Sequence, residues 1–296
     1  HSMEFGFDAS MFNDRLNLDF TWYKTNNKNQ YFAMSVPSAT GYDSYYFNAG
    51  DIQNSGIEFS ASWTQQFTKD FSWKTQVNLS YNNNKIKKLD NREGISEADR
   101  LDKVDIGSMF GVRSWLVEGG KYGDIYGQNF IRDEKTGLIC VDANGRIMYT
   151  DEMHKLGNIN SNIRLGWGNT LNYKNFSLYF LLDGSIGGNF FDFTQASLDR
   201  NGSSQSSADA RNAGGVKVWN TATNSEGVMD AKDFFTTIGS INGGGGDYYA
   251  YSQTNFRLRE LSVGYTFRDL LGNGHDLSIS AIARNLFFLY KDCPSD

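Results

Sequence analysis

Proline, cysteine and histidine are all scarce in this chain of 296 residues, which contains only 2, 2 and 3 of them. Scarce proline is typical of long, regular strands, because proline cannot donate to the hydrogen-bond ladder of a sheet. Cys140 and Cys293 lie far apart and form neither a disulfide framework nor a metal-ligand spacing. No histidine lies in a nucleophile-elbow or zinc motif. We therefore expect no cofactor, no metal and no catalytic residues, and the chain is not expected to be an enzyme.

Clustered positive charge and long apolar runs are also missing. The net charge of -6 and the pI near 5.2 argue against a nucleic-acid partner, because phosphate binding requires clustered Lys and Arg. No stretch of roughly 18 apolar residues exists, which excludes a transmembrane helix. The start, His1-Ser2-Met3, resembles a vector remnant. Residues 4–296 are therefore expected to be the protein proper.

Aromatic residues make up 15% of the chain, and glycine contributes 31 residues. The hydrophobic share is 39% and the mean hydropathy is -0.51, which is low for a soluble chain that must fill a core. A β-barrel with a wet lumen explains this composition, because only its outer face has to be apolar. A hydrophilic all-β protein with long loops explains it equally well.

Apolar and polar residues alternate with a period of two, which predicts strands. Leu16, Leu18 and Phe20, for example, alternate with Asn17 and Asp19. Seven further candidate strands cover residues 4–10, 57–64, 71–82, 163–172, 176–183, 256–267 and 277–283. Just before residue 260, the apolar positions change from even-numbered to odd-numbered, which predicts a bulge of one residue. Many of these strands have about 10 residues, the length of a tilted membrane strand.

Short and long connections alternate strictly along the chain. The short connections are residues 11–14, 66–70, 173–175 and 268–276, and the long ones are residues 26–50, 86–158 and 187–251. Outer-membrane barrels have short periplasmic turns and long extracellular loops. The sequence therefore predicts an all-β fold, an antiparallel transmembrane β-barrel segment of about eight strands with long extracellular loops.

A series of motifs resembles the C-terminal barrel of SusC/RagA-type TonB-dependent transporters. The motifs, in order, are V-P-S-A-T-G-Y (36–42), N-A-G-D-I-Q-N-S-G-I-E-F (48–59), L-V-E-G-G-K-Y-G-D-I-Y-G (116–127), T-G-L-I-C-V-D-A-N-G (136–145), L-G-N-I-N-S-N (156–162), N-Y-K-N-F-S-L (172–178), F-R-L-R-E-L-S-V-G-Y-T-F (256–267) and A-R-N-L-F-F-L-Y-K-D (283–292). Each motif is short, but together they cover nearly the whole chain from residue 4 onward.

The resemblance implies an outer-membrane barrel of about 22 strands with an N-terminal plug domain. This chain would hold roughly strands 14–21, without the plug and without the final strand. The implied function is TonB-dependent uptake of oligosaccharides or oligopeptides. The implied partners are a SusD-like surface lipoprotein, the TonB complex through the absent plug region, and outer-membrane lipid. A passive porin or adhesin barrel and a soluble carbohydrate-binding β domain remain alternatives.

Aromatic residues in the long connections are candidates for ligand contact, because their rings can stack on sugar faces. The candidates are Trp115, Trp219, Tyr248, Tyr249 and Tyr251. Packing of the loops into a lid is the alternative, and it is favoured. The glycine run at residues 243–246, which precedes the tyrosines, is expected to be a flexible loop tip.

Two further sets of polar residues have a structural and a functional interpretation. Asp142 and Asn144 resemble half of a calcium loop, but an Asx-type turn is the favoured interpretation. The predicted lumen face carries four charged residues, namely Glu58, Arg164, Asp183 and Glu260. They are expected to pair with the plug or with each other rather than to form a specific substrate site.

Overall fold

The computed structural model describes residues 1–35, 39, 41–42, 44–48, 50–90, 94, 96, 100–240, 246–270, 272 and 274–293. Most of the motif at residues 36–42 and residues 243–245 of the glycine run lie outside the described residues.

An eight-stranded antiparallel sheet, here called the wall, dominates the fold. Numbered along the chain, its strands are β1 (Ser2–Met11), β2 (Leu16–Asn27), β5 (Asp51–Gln66), β6 (Phe71–Lys88), β12 (Ile163–Tyr173), β13 (Phe176–Ile186), β18 (Asn255–Phe267) and β19 (Leu277–Lys291). They lie side by side in chain order, so that every strand pairs with the wall strands before and after it. The eight strands predicted from alternation are confirmed.

The predicted bulge lies at Arg259. Leu181 of β13 pairs with Glu260, whereas the next residue, Leu182, pairs with Leu258. Arg259 therefore has no partner on β13, and the strand continues with its side chains on the opposite phase. This single extra residue explains why the apolar positions of β18 are even-numbered before the bulge and odd-numbered after it.

The two faces of the wall differ in chemistry. One row across five neighbouring strands consists of Phe7, Phe20, Phe59, Leu79 and Leu165. A second row, next to the short turns, contains Phe71, Tyr173, Phe176 and Tyr265. The opposite face carries rows such as Asp8, Asp19, Ser60, Asn78, Gly166, Asp183 and Arg257. The apolar side is here called the outer face and the polar side the inner face.

Several wall strands are longer than predicted, and β5 and β6 are the longest of the wall. The alternation indicated strands at residues 57–64 and 71–82, but β5 has 16 residues and β6 has 18. At about 3.3 Å per residue, β6 is roughly 60 Å long. A membrane needs only about 9–11 residues of a tilted strand. The added residues are mostly polar, and the long connections pack against them.

The long connections are folded, which the sequence analysis did not predict. They contain eleven further strands, namely β3 (Tyr31–Ser35), β4 (Ser44–Asn48), β7 (Lys103–Met109), β8 (Val112–Val117), β9 (Asp124–Gly127), β10 (Cys140–Val141), β11 (His154–Asn158), β14 (Asn189–Phe191), β15 (Val216–Asn220), β16 (Ser225–Met229) and β17 (Ala250–Ser252). They also contain the helices α1 (Phe193–Arg200), α2 (Gln205–Asn212) and α3 (Ala231–Ile238). None of these helices, within the described part of the chain, has the length and apolar character to cross a membrane.

The folded connections have hydrophobic cores of their own. The largest contains Phe234, Phe235 and Ile238 of α3, together with Phe130 and Tyr249. Helix α3 begins at the cap residue Asp230, and its apolar residues recur at helical spacing on one face. A second cluster joins Ile52 and Ile86 of the wall to the β7–β8 hairpin. The connections are thereby packed on one end of the wall rather than extended into solvent.

Candidate ligand-binding cavity

A polar cavity of about 400 Å³ lies where the inner face of the wall meets the folded connections. Its wall side comes from β2, β5, β6 and β12, and its other side from the segments around residues 121–122 and 158–162. The lining residues are Tyr23, Asn54, Ser80, Asn82, Asn84, Lys121, Tyr122, Asn158, Asn160, Ser161, Asn162 and Arg164. None of these side chains is aliphatic, and half of them are asparagines.

Strand periodicity explains the wall side of the cavity. Ser80, Asn82 and Asn84 are alternate residues of β6, so all three point to the inner face. Tyr23 pairs with Gly56 on β5, and its hydroxyl donates to Asn82 Oδ1 at 3.1 Å. A Cβ at Gly56 would lie 2.6 Å from the Tyr23 hydroxyl oxygen. Glycine at this position therefore allows the tyrosine side chain to lie across β5 and contact β6.

Amide hydrogen bonds attach the opposite rim to the wall. The backbone N–H of Tyr122 donates to Asn84 Oδ1 at 2.8 Å. The carbonyl oxygen of Tyr122 accepts from the side-chain amides of Asn158 at 3.1 Å and Asn160 at 3.0 Å. Gly123 follows with φ +89°, a left-handed conformation that favours glycine. These bonds fix the shape of the cavity.

A buried carboxylate supports this rim. Asp124 is only 1% exposed and accepts from Lys155 Nζ at 2.7 Å and from Asn158 Nδ2 at 2.7 Å. Its second oxygen accepts from the backbone N–H of Lys121 at 2.8 Å. Lys155 compensates the charge of Asp124. Asp124 therefore supports the rim through these bonds, and it is not among the residues that line the cavity.

The charges of the inner face fall into two groups. Asp183 accepts from Arg257 Nε at 2.6 Å, and Glu260 accepts from Arg284 Nε at 2.8 Å. These two carboxylates therefore pair within the wall. Arg164, in contrast, lines the cavity, and its side chain forms no hydrogen bond or ion pair with any part of the chain that is described.

The lining suits recognition of a polar ligand. Asparagine amides and hydroxyls both donate and accept hydrogen bonds, which is what sugar hydroxyls and peptide groups require. Across the described residues, no group of three or more His, Cys, Asp or Glu side chains is placed to hold a metal ion.

None of the five aromatic residues named as candidates for ligand contact lines this cavity. Tyr249 is 1% exposed, and its hydroxyl donates to Asp199 Oδ2 at 3.0 Å. Tyr248 packs against Phe130 and Phe234 with ring centroids 6.3 and 6.1 Å away. Tyr251 lies opposite Phe190 in the β14–β17 pair, and burial raises its pKa to about 12, so that the hydroxyl stays protonated at neutral pH.

The two tryptophans remain half-exposed. The Trp115 ring lies 5.2 Å from the Tyr126 ring, and Lys103 Nζ lies 4.5 Å from its centroid. Trp219 lies in β15, opposite Glu226 of β16. Both tryptophans lie in the small sheets of the connections. Their contact with a ligand stays a prediction.

Asp142 forms an Asx-type turn. Its Oδ1 accepts from the backbone N–H groups of Asn144 and Arg146, both at 2.8 Å. These donors, that of Arg146 first, hold the pKa of the Asp142 carboxyl below its ordinary value.

The sequence analysis missed the asparagines, although a signal was present. Asn82, Asn83 and Asn84 are consecutive, and residues 158–162 read N-I-N-S-N. Both segments occur at the ends of predicted strands. That they face one another follows only from the folded connections.

Comparison with known proteins agrees with this geometry. Residues 1–105 match the family model described as "TonB dependent receptor-like, beta-barrel". "TonB-dependent receptor P3" from Formosa agariphila is 27% identical over 282 residues, which cover 89% of this chain and 26% of that protein. "TonB-dependent receptor SusC" from Bacteroides thetaiotaomicron is 24% identical, covering 90% of this chain and 26% of its own length.

The chain is similar to TonB-dependent receptors along most of its length. The resemblance read from the sequence motifs is thereby confirmed. The chain spans about a quarter of the length of these two relatives.

The fold agrees with that of a solved structure. The "Structure of the RagAB peptide importer in the 'closed-closed' state" superposes with a TM-score of 0.70 and 20% identity, over 98% of this chain and 32% of that one. The predicted fold class, an antiparallel β-barrel segment of about eight strands, is confirmed. The TonB-dependent receptor family consists of transporters rather than enzymes.

Proposed function

We propose that this chain forms part of the wall and the extracellular loops of an outer-membrane transporter. The transporter takes up oligosaccharides or oligopeptides with energy delivered through TonB. Two observations support this function: the sequence relatives are TonB-dependent receptors, and a solved structure of the same fold is titled a peptide importer.

The main support for this proposal is the chemical difference between the two faces of the wall. Large apolar side chains on the outer face are strongly exposed, with Phe5 at 64% and Ile279 at 58%. A soluble protein rarely exposes such a continuous apolar surface, whereas lipid covers it at no cost. The inner face is polar and carries the paired charges of Asp183 and Glu260, which suits a wet lumen. An apolar outer face and a polar inner face favour a membrane barrel over a soluble carbohydrate-binding domain.

The remaining parts of the transporter are assigned by family. The plug, which we do not expect within this chain, would contact the TonB complex, and a SusD-like surface lipoprotein would cover the extracellular end. In this arrangement the cavity, Trp115, Trp219 and Tyr251 lie on the extracellular side, where an incoming ligand is bound. The role of the chain is binding and passage, not catalysis.

Uptake measurements test this function. Cells that depend on the whole transporter receive fluorescently labelled oligosaccharides and peptides, and uptake is compared with and without TonB. We expect uptake of at least one substrate class and its loss in cells without TonB. Uptake that persists without TonB would instead indicate a passive porin.

A further inference from the structure

We propose that the cavity binds an acidic sugar residue of an imported oligosaccharide. Arg164 and Lys121 would contact its carboxylate or sulfate, and the asparagines its hydroxyls. This inference rests on the proposed function, because it names the substrate class of the same cavity.

The first observation is the uncompensated charge of Arg164. Its cross-strand neighbours on the inner face are Ser80 and Ser185, neither of which is charged. In the part of the chain that is described, its guanidinium has no hydrogen bond and no ion pair. A guanidinium presents a planar fork of donors that matches the two oxygens of a carboxylate or sulfate. Arg164 is therefore available to an anionic ligand.

Lys121 adds a second cation from the opposite rim. Its backbone N–H is held by Asp124, but its ammonium group has no ion-pair partner among the described residues. No lining residue is a carboxylate, and Lys155 neutralises the adjacent Asp124. The cavity is thus cationic in a chain whose net charge is -6. An excess of acidic residues over the whole chain would not by itself lead to a cationic cavity.

Two carboxylates of the inner face lie near enough to Arg164 to affect the electrostatic potential around its guanidinium. Glu58 shares a row with Arg164 across Ser80, two strands or roughly 10 Å away. The two residues form no ion pair, so Glu58 lowers the local potential without occupying the guanidinium. Asp183 lies diagonally on β13, where Arg257 at 2.6 Å and Arg259 at 3.7 Å already engage it.

The rest of the lining favours a sugar over a peptide. Asn54 and Asn82 use their side-chain oxygens to accept from Asn84 and Tyr23. Their NH₂ groups have no acceptor among the described residues and can donate to hydroxyls of a ligand. Tyr23 and Tyr122 supply rings, and sugars stack on rings through their apolar faces. A peptide site would also need apolar pockets for side chains, and the cavity has no aliphatic lining. Its volume lies within the range of roughly 300–1,000 Å³ that small-molecule sites have.

Binding of matched ligand pairs tests the inference. The whole transporter is purified in detergent and titrated calorimetrically with oligogalacturonate, oligoguluronate and a sulfated galactan oligosaccharide. Each probe is paired with its methyl-esterified or desulfated form, and neutral glycans and peptides complete the panel. We expect an acidic probe to bind, and its neutralised form to bind about tenfold or more weakly, because a charge-assisted contact is lost.

Variants assign that preference to the cavity. Arg164→Gln and Lys121→Gln should each remove most of the preference for the charged form, whereas Arg164→Lys should keep part of it. Glu58→Gln is the matched control, since it alters the same row without removing a cation, and it should leave the preference intact or increase it. Heat-modifiable electrophoretic mobility checks that every variant assembles.

Three results would overturn the inference: equal binding of charged and neutralised probes, an unchanged preference in Arg164→Gln, or no binding of any acidic probe. TonB-dependent uptake of a neutral glycan or a peptide alone would also overturn it while leaving the proposed function intact. Uptake that does not need TonB would refute the proposed function instead.

Discussion

The ion pair between Arg257 and Asp183 should contribute measurably to the stability of the wall. Arg257 donates through Nε to Asp183 Oδ1 at 2.6 Å and through Nη2 to Oδ2 at 3.1 Å. The two side chains are only 31% and 27% exposed. Loss of a hydrogen bond to a charged group costs about 1.5–3 kcal/mol. Arg259 Nε lies 3.7 Å from the same carboxylate and compensates part of that loss. For Arg257→Gln we therefore expect a destabilisation of about 1–2 kcal/mol.

The neighbouring pair between Arg284 and Glu260 provides the control. Its distance is similar, at 2.8 Å, but the arginine side chain is 70% exposed. Exposed ion pairs contribute less than about 1 kcal/mol, because water screens them and two long side chains must be ordered. Arg284→Gln should therefore cost less than Arg257→Gln.

Urea unfolding of the whole transporter in lipid vesicles, followed by tryptophan fluorescence, compares the two variants. A double-mutant cycle with Asp183→Asn should give costs that are clearly non-additive with Arg257→Gln. An equal or larger effect of Arg284→Gln, or full additivity in the cycle, would refute the reasoning from burial and bidentate geometry.

Three further predictions follow from the faces of the wall, the core of the connections and the Asx-type turn. Leu79→Lys on the outer face should destabilise the assembled barrel by about 2–4 kcal/mol, whereas Ser80→Lys on the inner face should have little effect; equal folding yields in vesicles would contradict this. Tyr249→Phe should cost about 1–3 kcal/mol and accelerate hydrogen exchange in α1, because a buried carboxylate loses its donor at 3.0 Å. Tyr248→Phe, whose hydroxyl has no hydrogen bond within the described structure, should leave exchange unchanged. The Asp142 carboxyl should titrate below its ordinary pKa in NMR spectra, so that its contribution to the turn is present at neutral pH and lost as the pH falls through that lowered value. A midpoint at the ordinary value would contradict this.

The wall could be predicted because apolar and polar residues alternate along its strands. A strand between lipid and water must alternate, and β12 alternates over its whole length from Ile163 to Tyr173 except at Asn169. Asn169 lies on the outer face, yet it is only 2% exposed because Trp73 covers it and donates to its Oδ1 at 3.0 Å. The bulge at Arg259 was also predictable, because the apolar positions of β18 change there from even-numbered to odd-numbered.

The folded connections could not be predicted in the same way. The unpredicted residues of β5 and β6, at 51–56, 65–66 and 83–88, are nearly all polar apart from Ile52 and Ile86, so alternation gave no signal there. Helix α3 did carry one, since Asp230 caps an apolar face formed by Phe234, Phe235 and Ile238. The other two helices have 8 residues each and a weak apolar face. Short elements of this kind are stabilised by packing more than by local sequence.

The cavity depends on contacts between distant segments. Tyr122 bonds to Asn84 and to Asn158, which are 38 and 36 residues away in sequence. No local pattern specifies such contacts. The conspicuous aromatics of the connections were therefore the only candidates for ligand contact, with packing as the favoured alternative, and Tyr249 lies in a core of the connections.

The orientation of the wall is the central claim, and accessibility along β6 tests it most directly. Single cysteines are placed at each of positions 76–80 in the whole transporter after removal of Cys140 and Cys293, and are treated in vesicles with a membrane-impermeant maleimide. Labelling should alternate, with positions 76, 78 and 80 reactive from the water-filled lumen and positions 77 and 79 protected by lipid. Uniform labelling, or the opposite phase, would contradict a membrane wall with this outer face.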